Sequence, residues 1–473
     1  MSGRARIGLL VGPLAFAGLL LLPVPAQLDA AGWRVAALAL WMATWWLTEA
    51  LPLAVTALLP LVVLPLLGAA PVKSVAPAYA NPVIFLFLGG FLLAAAVERW
   101  GLHRRIALHM VHRLGLRPDR LVLGFMLATA LLSMWISNTA TVMMMVAIGM
   151  AVASQAGGAR QQTGAALMLG IAYAASIGGV ATLIGTPPNA ILAGVARTSL
   201  GVEIGFAQWL LFALPLVASM LLLAWWLLTH VLFRASGKGD VEGAAALRAA
   251  FAALGPLQVQ ERRVLAVFGL VAAGWVLRGF VDWDILTRLD DAGIALAGAV
   301  LLFALPDGQG GRLLDWPTAA RIPWDILVLF GGGFALAQSF GSSGLTAWIA
   351  GRLGLLAGAD PLWLIAGVAV LVVFLTEITS NTATATLLLP LMAGLAAAVG
   401  VEPLLLMVPA AVAASFAFML PVATPPNAIV FGTRQVGVGQ MARAGLVLNL
   451  LGCLLLTLCA YFWLPVAFGL AGS

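Results

Sequence analysis

Charge is what this sequence has least of. Only 9% of its 473 residues are Asp, Glu, Lys or Arg, where an ordinary soluble domain carries about 25%. A chain so poor in charge cannot cover a water-facing surface, so its main solvent is a bilayer. Cysteine is nearly absent as well. Cys453 and Cys459 lie in one apolar segment and make neither a disulfide framework nor a metal site. The four histidines, His103, His109, His112 and His230, stand at or beside basic stretches, which leaves none at depth for catalysis. The net charge of +6 comes mostly from arginines in two loops, a pattern that orients a membrane protein and argues against a nucleic-acid partner.

What fills the chain is apolar. Hydrophobic residues make up 63% of it, and the mean hydropathy is +1.07. At about 20 residues per spanning helix there is room for roughly a dozen spans. The pattern predicts helices over 7–24, 33–48, 53–67, 83–97, 264–280, 292–305 and 326–340. Arg4 and Arg6 precede an apolar stretch without a convincing cleavage site, so the first helix is expected to be retained. The loop 98–120 carries Arg99, Arg104, Arg105, Arg113, Arg117 and Arg120, which assigns it, and by counting back the N-terminus, to the cytoplasm. The loop 234–263, with Arg234, Lys238, Arg248, Arg262 and Arg263, belongs on the same side. The loop 281–291, with Asp282, Asp284, Asp290 and Asp291 against Arg288, suits the outside, and 307–323 returns inside. The expected location is a bacterial inner membrane, multi-pass, with the C-terminus periplasmic. Trp45, Trp46, Trp225 and Trp226 read as interface anchors or packing, and the run Met143 to Met145 reads as core.

Two apolar segments are interrupted at mid-length. Residues 121–154 break at Ser137-Asn138-Thr139, and residues 362–399 break at Ser380-Asn381-Thr382. Polar backbone at mid-depth must line protein or water, so re-entrant hairpins are expected. These landmarks repeat. Gly89-Gly90-Phe91 matches Gly332-Gly333-Phe334, Pro118 matches Pro361, and the two triplets match, all at an offset of 243. Thr186-Pro187-Pro188-Asn189 matches Thr424-Pro425-Pro426-Asn427 at an offset of 238. With the loop assignments, helix 83–97 runs inward and helix 326–340 outward, so the repeats are inverted, which points to a transport site near the midplane. The division is then 1–82 N-terminal helices, 83–233 first repeat with hairpin 121–154 and broken helix 163–197, 234–263 cytoplasmic loop, 264–325 linking helices, and 326–466 second repeat with hairpin 362–399 and broken helix 404–432.

The broken segments suit a cation and an anion together. A Pro-Pro pair removes two backbone donors and frees carbonyls, which a hard cation such as sodium would take along with the Ser and Asn oxygens of the triplets. Ser133 lies four residues before Ser137, and Thr376 four before Ser380, which would turn each pair to one helix face. Helices that restart after a break offer free N–H groups to an anion. No Lys or Arg occurs in 121–154, 161–195, 362–403 or 404–432, so a dianion there depends on nearby cation charge. Glu49 and Glu377, in apolar surroundings, are candidates for a proton carrier, a local pair or a helix cap.

Trp46-Leu47-Thr48-Glu49-Ala50-Leu51-Pro52, both Ser-Asn-Thr triplets and both Thr-Pro-Pro-Asn motifs resemble the divalent anion:sodium symporter family of dicarboxylate and citrate carriers. The likeness runs from residue 46 to about 432. It implies an all-α polytopic membrane protein with about eleven spans, two re-entrant hairpins, elevator transport and a homodimer. By position, it implies a first sodium site at Ser133, Ser137, Asn138 and the backbone near Gly185, and a second at Thr376, Ser380, Asn381 and the backbone near Ala423. It implies substrate contacts at Asn138, Thr139, Asn381 and Thr382, with Thr186, Pro187, Thr424 and Pro425. The expected function is sodium-coupled import of C4-type dicarboxylates. Alternatives are sodium-independent exchange, or carriage of citrate or sulfate on the same fold. An enzyme is not expected, because no nucleophile–base pair or metal cluster falls in the broken segments. A channel is disfavoured by the paired hairpins.

Overall fold

The computed structural model describes residues 3–115, 117–153, 159–233, 241–281, 288–352 and 358–470. Arg234, Lys238, Asp282, Asp284 and Ser154 lie outside them. The described residues form helices and no strand. Among the described residues six helices are long and apolar enough to cross a membrane: Gly3–Leu21, Val72–Arg99, Phe206–Leu232, Trp324–Ser342, Asn381–Val399 and Val438–Phe468. The first of these leaves Ile7, Leu10, Leu14 and Leu21 exposed on its surface, as a helix bathed in lipid would.

Helix starts follow local chemistry. Asn81 accepts from Val83 N at 2.9 Å ahead of Pro82, and Asp360 accepts from Leu362 N at 2.8 Å ahead of Pro361. Side-chain caps followed by proline in the first turn are efficient helix starts. The repeated Gly-Gly-Phe marks where backbones cross. A methyl at Gly89 would fall 2.5 Å from Ala295 Cβ, and one at Gly332 would fall 2.3 Å from the Ala57 carbonyl oxygen. Small residues at such crossings let membrane helices approach closely.

The interrupted segments are each two helices. Pro118–Ser133 and Asn138–Ala153 form the first pair, Pro361–Thr376 and Asn381–Val399 the second. Three of these four arms have 16 residues and reach only about 24 Å at 1.5 Å per residue, short of the ~30 Å hydrocarbon layer, whereas Asn381–Val399 has 19. The proline motifs interrupt two further helices. Ala159–Gly179 is followed by Pro187–Val195, and Leu404–Ala413 by Pro425–Gly432.

Several expectations change. The stretch 98–120 is not a bare loop: it holds the helix Leu102–Leu114, which buries Leu102, Ala107, Leu108 and Val111 on one face. Its basic residues are partly structural. Arg105, 2.7 Å from Glu261, also donates to the carbonyls of Leu254, Gly255 and Pro256. The 234–263 region likewise contains the helix Val241–Ala252. Trp45 and Trp46 are packed inside, whereas Trp226 is exposed. Met143 is exposed while Met145 is buried, because residues two apart on a helix face different ways.

Candidate functional site

The two triplets and the two proline motifs come together around one cavity of about 820 Å³. Ser137, Asn138, Thr139, Ser380, Asn381 and Thr382 line it, with Gly185, Thr186 and Pro187 from the first break and Ala423, Thr424 and Pro425 from the second. Segments some 240 residues apart in sequence are thus neighbours. Its size falls within the roughly 300–1,000 Å³ of ligand pockets.

Ser133 and Thr376 do not line the cavity. Both are fully buried behind it. The reason is that each helix stops there: Ser133 and Thr376 are last residues of their helices, so the four-residue face argument does not carry on to Ser137 or Ser380. Instead the Ser133 hydroxyl donates to Asn138 Oδ1. The Thr376 hydroxyl is within 2.8 Å of Asn381 Oδ1 and 2.9 Å of the Ala414 carbonyl. A buried hydroxyl on Oδ1 leaves the amide Nδ2 of each asparagine as a donor on its other side. An anion carboxylate can use that donor, while the oxygens behind it suit a cation. Ser380 occupies the N-cap of its helix without capping it, and so does Thr186. Serine and threonine at that position ordinarily spend their hydroxyl on the backbone. Thr424 does so, accepting from Asn427 N at 3.2 Å.

The prolines stand in the first turn of the restarting helices, where a missing N–H costs little. The freed carbonyls upstream are not simply left for a cation. Asn189 Nδ2 donates to Thr182 O at 2.7 Å and to Val180 O at 3.2 Å, with Gly179 O at 3.4 Å. Asn427 Nδ2 donates to Leu420 O and Ala417 O, both at 3.0 Å. In both halves two of the acceptors lie seven and ten residues before the asparagine, so the motif's last residue props the unwound turn. Both Oδ1 atoms are buried without a hydrogen-bond partner. The two breaks also meet: Thr186 Oγ1 is 3.5 Å from Ser415 Oγ.

The Gly185/Ala423 difference has a structural cause. A Cβ at Gly185 would fall 2.4 Å from the Gly179 carbonyl oxygen, so the first break leaves no room for the methyl that the second one accommodates. Sequence reasoning missed the walls. Arg4, Phe87, Phe91, Trp135, Ser176, Pro323 and Ile326 also line the cavity. Arg4, read as a topology signal, donates to Leu47 O at 2.7 Å and lies 3.3 Å from Ile378 O at the second hairpin's tip. Glu49 is exposed to the cavity at a left-handed turn (φ 50°) that ends helix Ala30–Thr48. Among the described residues no group of three His, Cys, Asp or Glu side chains could hold a metal ion.

Comparison with known proteins identifies the family. Residues 5–469 match the family described as "Sodium:sulfate symporter transmembrane region". The "Sodium-dependent dicarboxylate transporter SdcS" of Staphylococcus saprophyticus is 45% identical across 98% of this chain and 92% of its own. Its Staphylococcus aureus (strain USA300) counterpart is 43% identical across 99% and 93%. A solved structure, that of the Alcanivorax borkumensis YdaH transporter, superposes with a TM-score of 0.53 over 99% of this chain and 97% of that one, at 16% identity, a likeness of fold. The chain is therefore a multi-pass membrane transporter, not an enzyme, and it belongs to the sodium:sulfate symporter family, the divalent anion:sodium symporters.

Proposed function

We propose that the protein is a secondary active symporter that imports C4-type dicarboxylates, such as succinate, malate and fumarate, on a sodium gradient. The observation that carries this reading is the convergence of both triplets and both proline motifs on one cavity. The relatives' printed name, sodium-dependent dicarboxylate transporter, supports the same cargo. In this reading the substrate carboxylates meet Asn138, Thr139, Asn381 and Thr382, with Thr186, Pro187, Thr424 and Pro425 around them. One sodium lies among Ser133, Ser137, Asn138 and the Gly185 carbonyl. The other lies among Thr376, Ser380, Asn381 and the Ala423 carbonyl.

The physical basis of coupling is charge. Among the described residues lining the cavity the single cationic side chain is Arg4, held by the Leu47 carbonyl. A dianion between the triplets lacks compensation until sodium arrives. We take the two halves as inverted repeats, each with a re-entrant hairpin, moving as an elevator within a homodimer in the inner membrane. Arg4 and Pro323 line the same cavity, and both fall on the cytoplasmic side of the proposed topology, which makes this the inward-open state.

The test is labelled succinate uptake into proteoliposomes, with an inward sodium gradient or with choline in its place. Uptake that requires sodium and grows when the interior is made negative supports symport. Uptake that ignores sodium and requires internal succinate would make the protein an exchanger.

A further inference from the structure

We propose that Glu377 is the positioning residue of the second sodium site, holding the unwound segment 414–424 against the hairpin tip so that the carbonyl oxygens stay in place for the ion. The inference rests on the site reading given above. It starts from a departure from the repeat. At the offset of 243, Glu377 corresponds to Met134, so the first half has no acid here.

Glu377 follows directly on Thr376 at the turn of the second hairpin and is 3% exposed. A carboxylate is costly to bury unless its oxygens are well hydrogen-bonded. Here Met419 N donates at 2.8 Å and Asn449 Nδ2 at 2.8 Å to Oε1, and Leu420 N donates at 3.0 Å to Oε2. The carboxylate therefore joins three elements: the hairpin tip, the unwound segment that leads to Ala423, and the helix Val438–Leu458 that carries Asn449. Only a group that accepts on both oxygens satisfies these donors; a glutamine would turn an N–H toward one of them. Asn449 keeps its own Oδ1 buried without a partner, so its amide is committed to this brace at a cost.

The first half closes the same junction with reversed chemistry. Thr182, which matches Leu420 at the offset of 238, donates its hydroxyl to the Met134 carbonyl at 2.5 Å. There the break supplies the donor and the hairpin backbone the acceptor; in the second half the hairpin supplies an acid and the break its backbone N–H groups. The two sodium sites are thus built alike in their ligands but differ in what holds them, and only the second is tied to helix Val438–Leu458 by a side chain of the hairpin.

The test compares Glu377→Gln, Asn449→Leu and Asn381→Ala by sodium activation of uptake and by the sodium-dependent rise in thermal stability of the purified protein in detergent. Glu377→Gln should raise the sodium half-saturation constant about ten-fold, the scale of one charge-assisted hydrogen bond, and leave the succinate constant at saturating sodium unchanged. Asn449→Leu removes another bond to the same carboxylate and should shift it in the same direction by a similar factor, and it carries the test if the glutamine variant does not fold. Wild-type sodium constants in both, with sodium response lost in Asn381→Ala, would overturn the inference and leave the site standing. An unaltered sodium response in Asn381→Ala would overturn the site itself. A Glu377→Gln protein with a normal sodium constant that no longer responds to an imposed pH gradient would make Glu377 a proton carrier and refute its positioning role.

Discussion

Gly185→Ala is the smallest change that should disable the first cation site. The added Cβ would meet the Gly179 carbonyl oxygen at 2.4 Å and the Gly179 carbonyl carbon and Cα at 3.0 Å. Nonbonded heavy atoms rest about 3.5–4.0 Å apart, so the overlap is about 1 Å. All three atoms met are backbone, and no side-chain rotation can relieve them. Either the unwound turn shifts, or the end of helix Ala159–Gly179 does, and that helix end also lies against Asn138, whose Oδ1 would be 2.8 Å from a Cβ at Gly179. Overpacking of this kind costs about 1–3 kcal/mol, or roughly 5- to 150-fold in an equilibrium constant. We expect the sodium half-saturation constant for succinate uptake to rise within that range, with the protein still recovered from the membrane. Ala423→Gly, at the matching place in the second half, removes a methyl that fits and should change it by less than about five-fold, since a glycine costs roughly 0.5–1 kcal/mol in added backbone freedom. Sodium titrations of both variants in proteoliposomes decide the matter. Superimposable curves for Gly185→Ala and the parent would refute the reasoning, because the clash would then be relieved without disturbing the site.

Other outcomes follow from the same geometry. Asn138→Ala and Asn381→Ala should each abolish uptake while size-exclusion profiles in detergent stay normal; uptake at parental levels by both would remove the asparagines from the site. Thr382→Ala should raise the apparent succinate constant with little change in the sodium constant, and an unchanged succinate constant would put the anion elsewhere. Asn189→Leu takes the side-chain donor from the carbonyls of Thr182 and Gly179, while Val180 keeps its bond from Trp209 Nε1 at 2.9 Å; at about 1–3 kcal/mol for each carbonyl left unpaired, the change should lower the melting temperature measured in detergent. Arg105→Leu strands Glu261 at a site where both side chains are nearly buried; losing one partner of such a pair costs about 3–5 kcal/mol, and a melting temperature equal to the parent's would show the pair to be dispensable.

Much of the site was legible because its chemistry repeats. The triplets and proline motifs stand out as polar or helix-breaking residues inside apolar segments, and both triplets line the cavity with Thr186, Pro187, Thr424, Pro425 and Pro426. What the sequence could not reveal has identifiable causes. Ser133 and Thr376 share a face with the serines only if the helix continues, and turns at 134–137 and 377–380 end that periodicity. Asn189 and Asn427 stood in the repeated motifs with no role of their own; their part as props depends on carbonyls seven and ten residues away, a distance set by the shape of an unwound turn. Phe87, Phe91 and Trp135 sit within apolar runs where nothing separates a cavity wall from ordinary packing. Arg105 read as one basic charge among six, since its partner Glu261 lies 156 positions further on.

The propped breaks bear on how quickly the transporter can work. An unwound turn that collapsed without its ions would have to refold each time a cation arrived, and binding would be charged for that ordering. Here each turn is held open by an amide belonging to its own motif, with acceptors at the same two spacings in both halves. In the proposed reading, arriving ions would meet a turn already shaped rather than one that must fold around them.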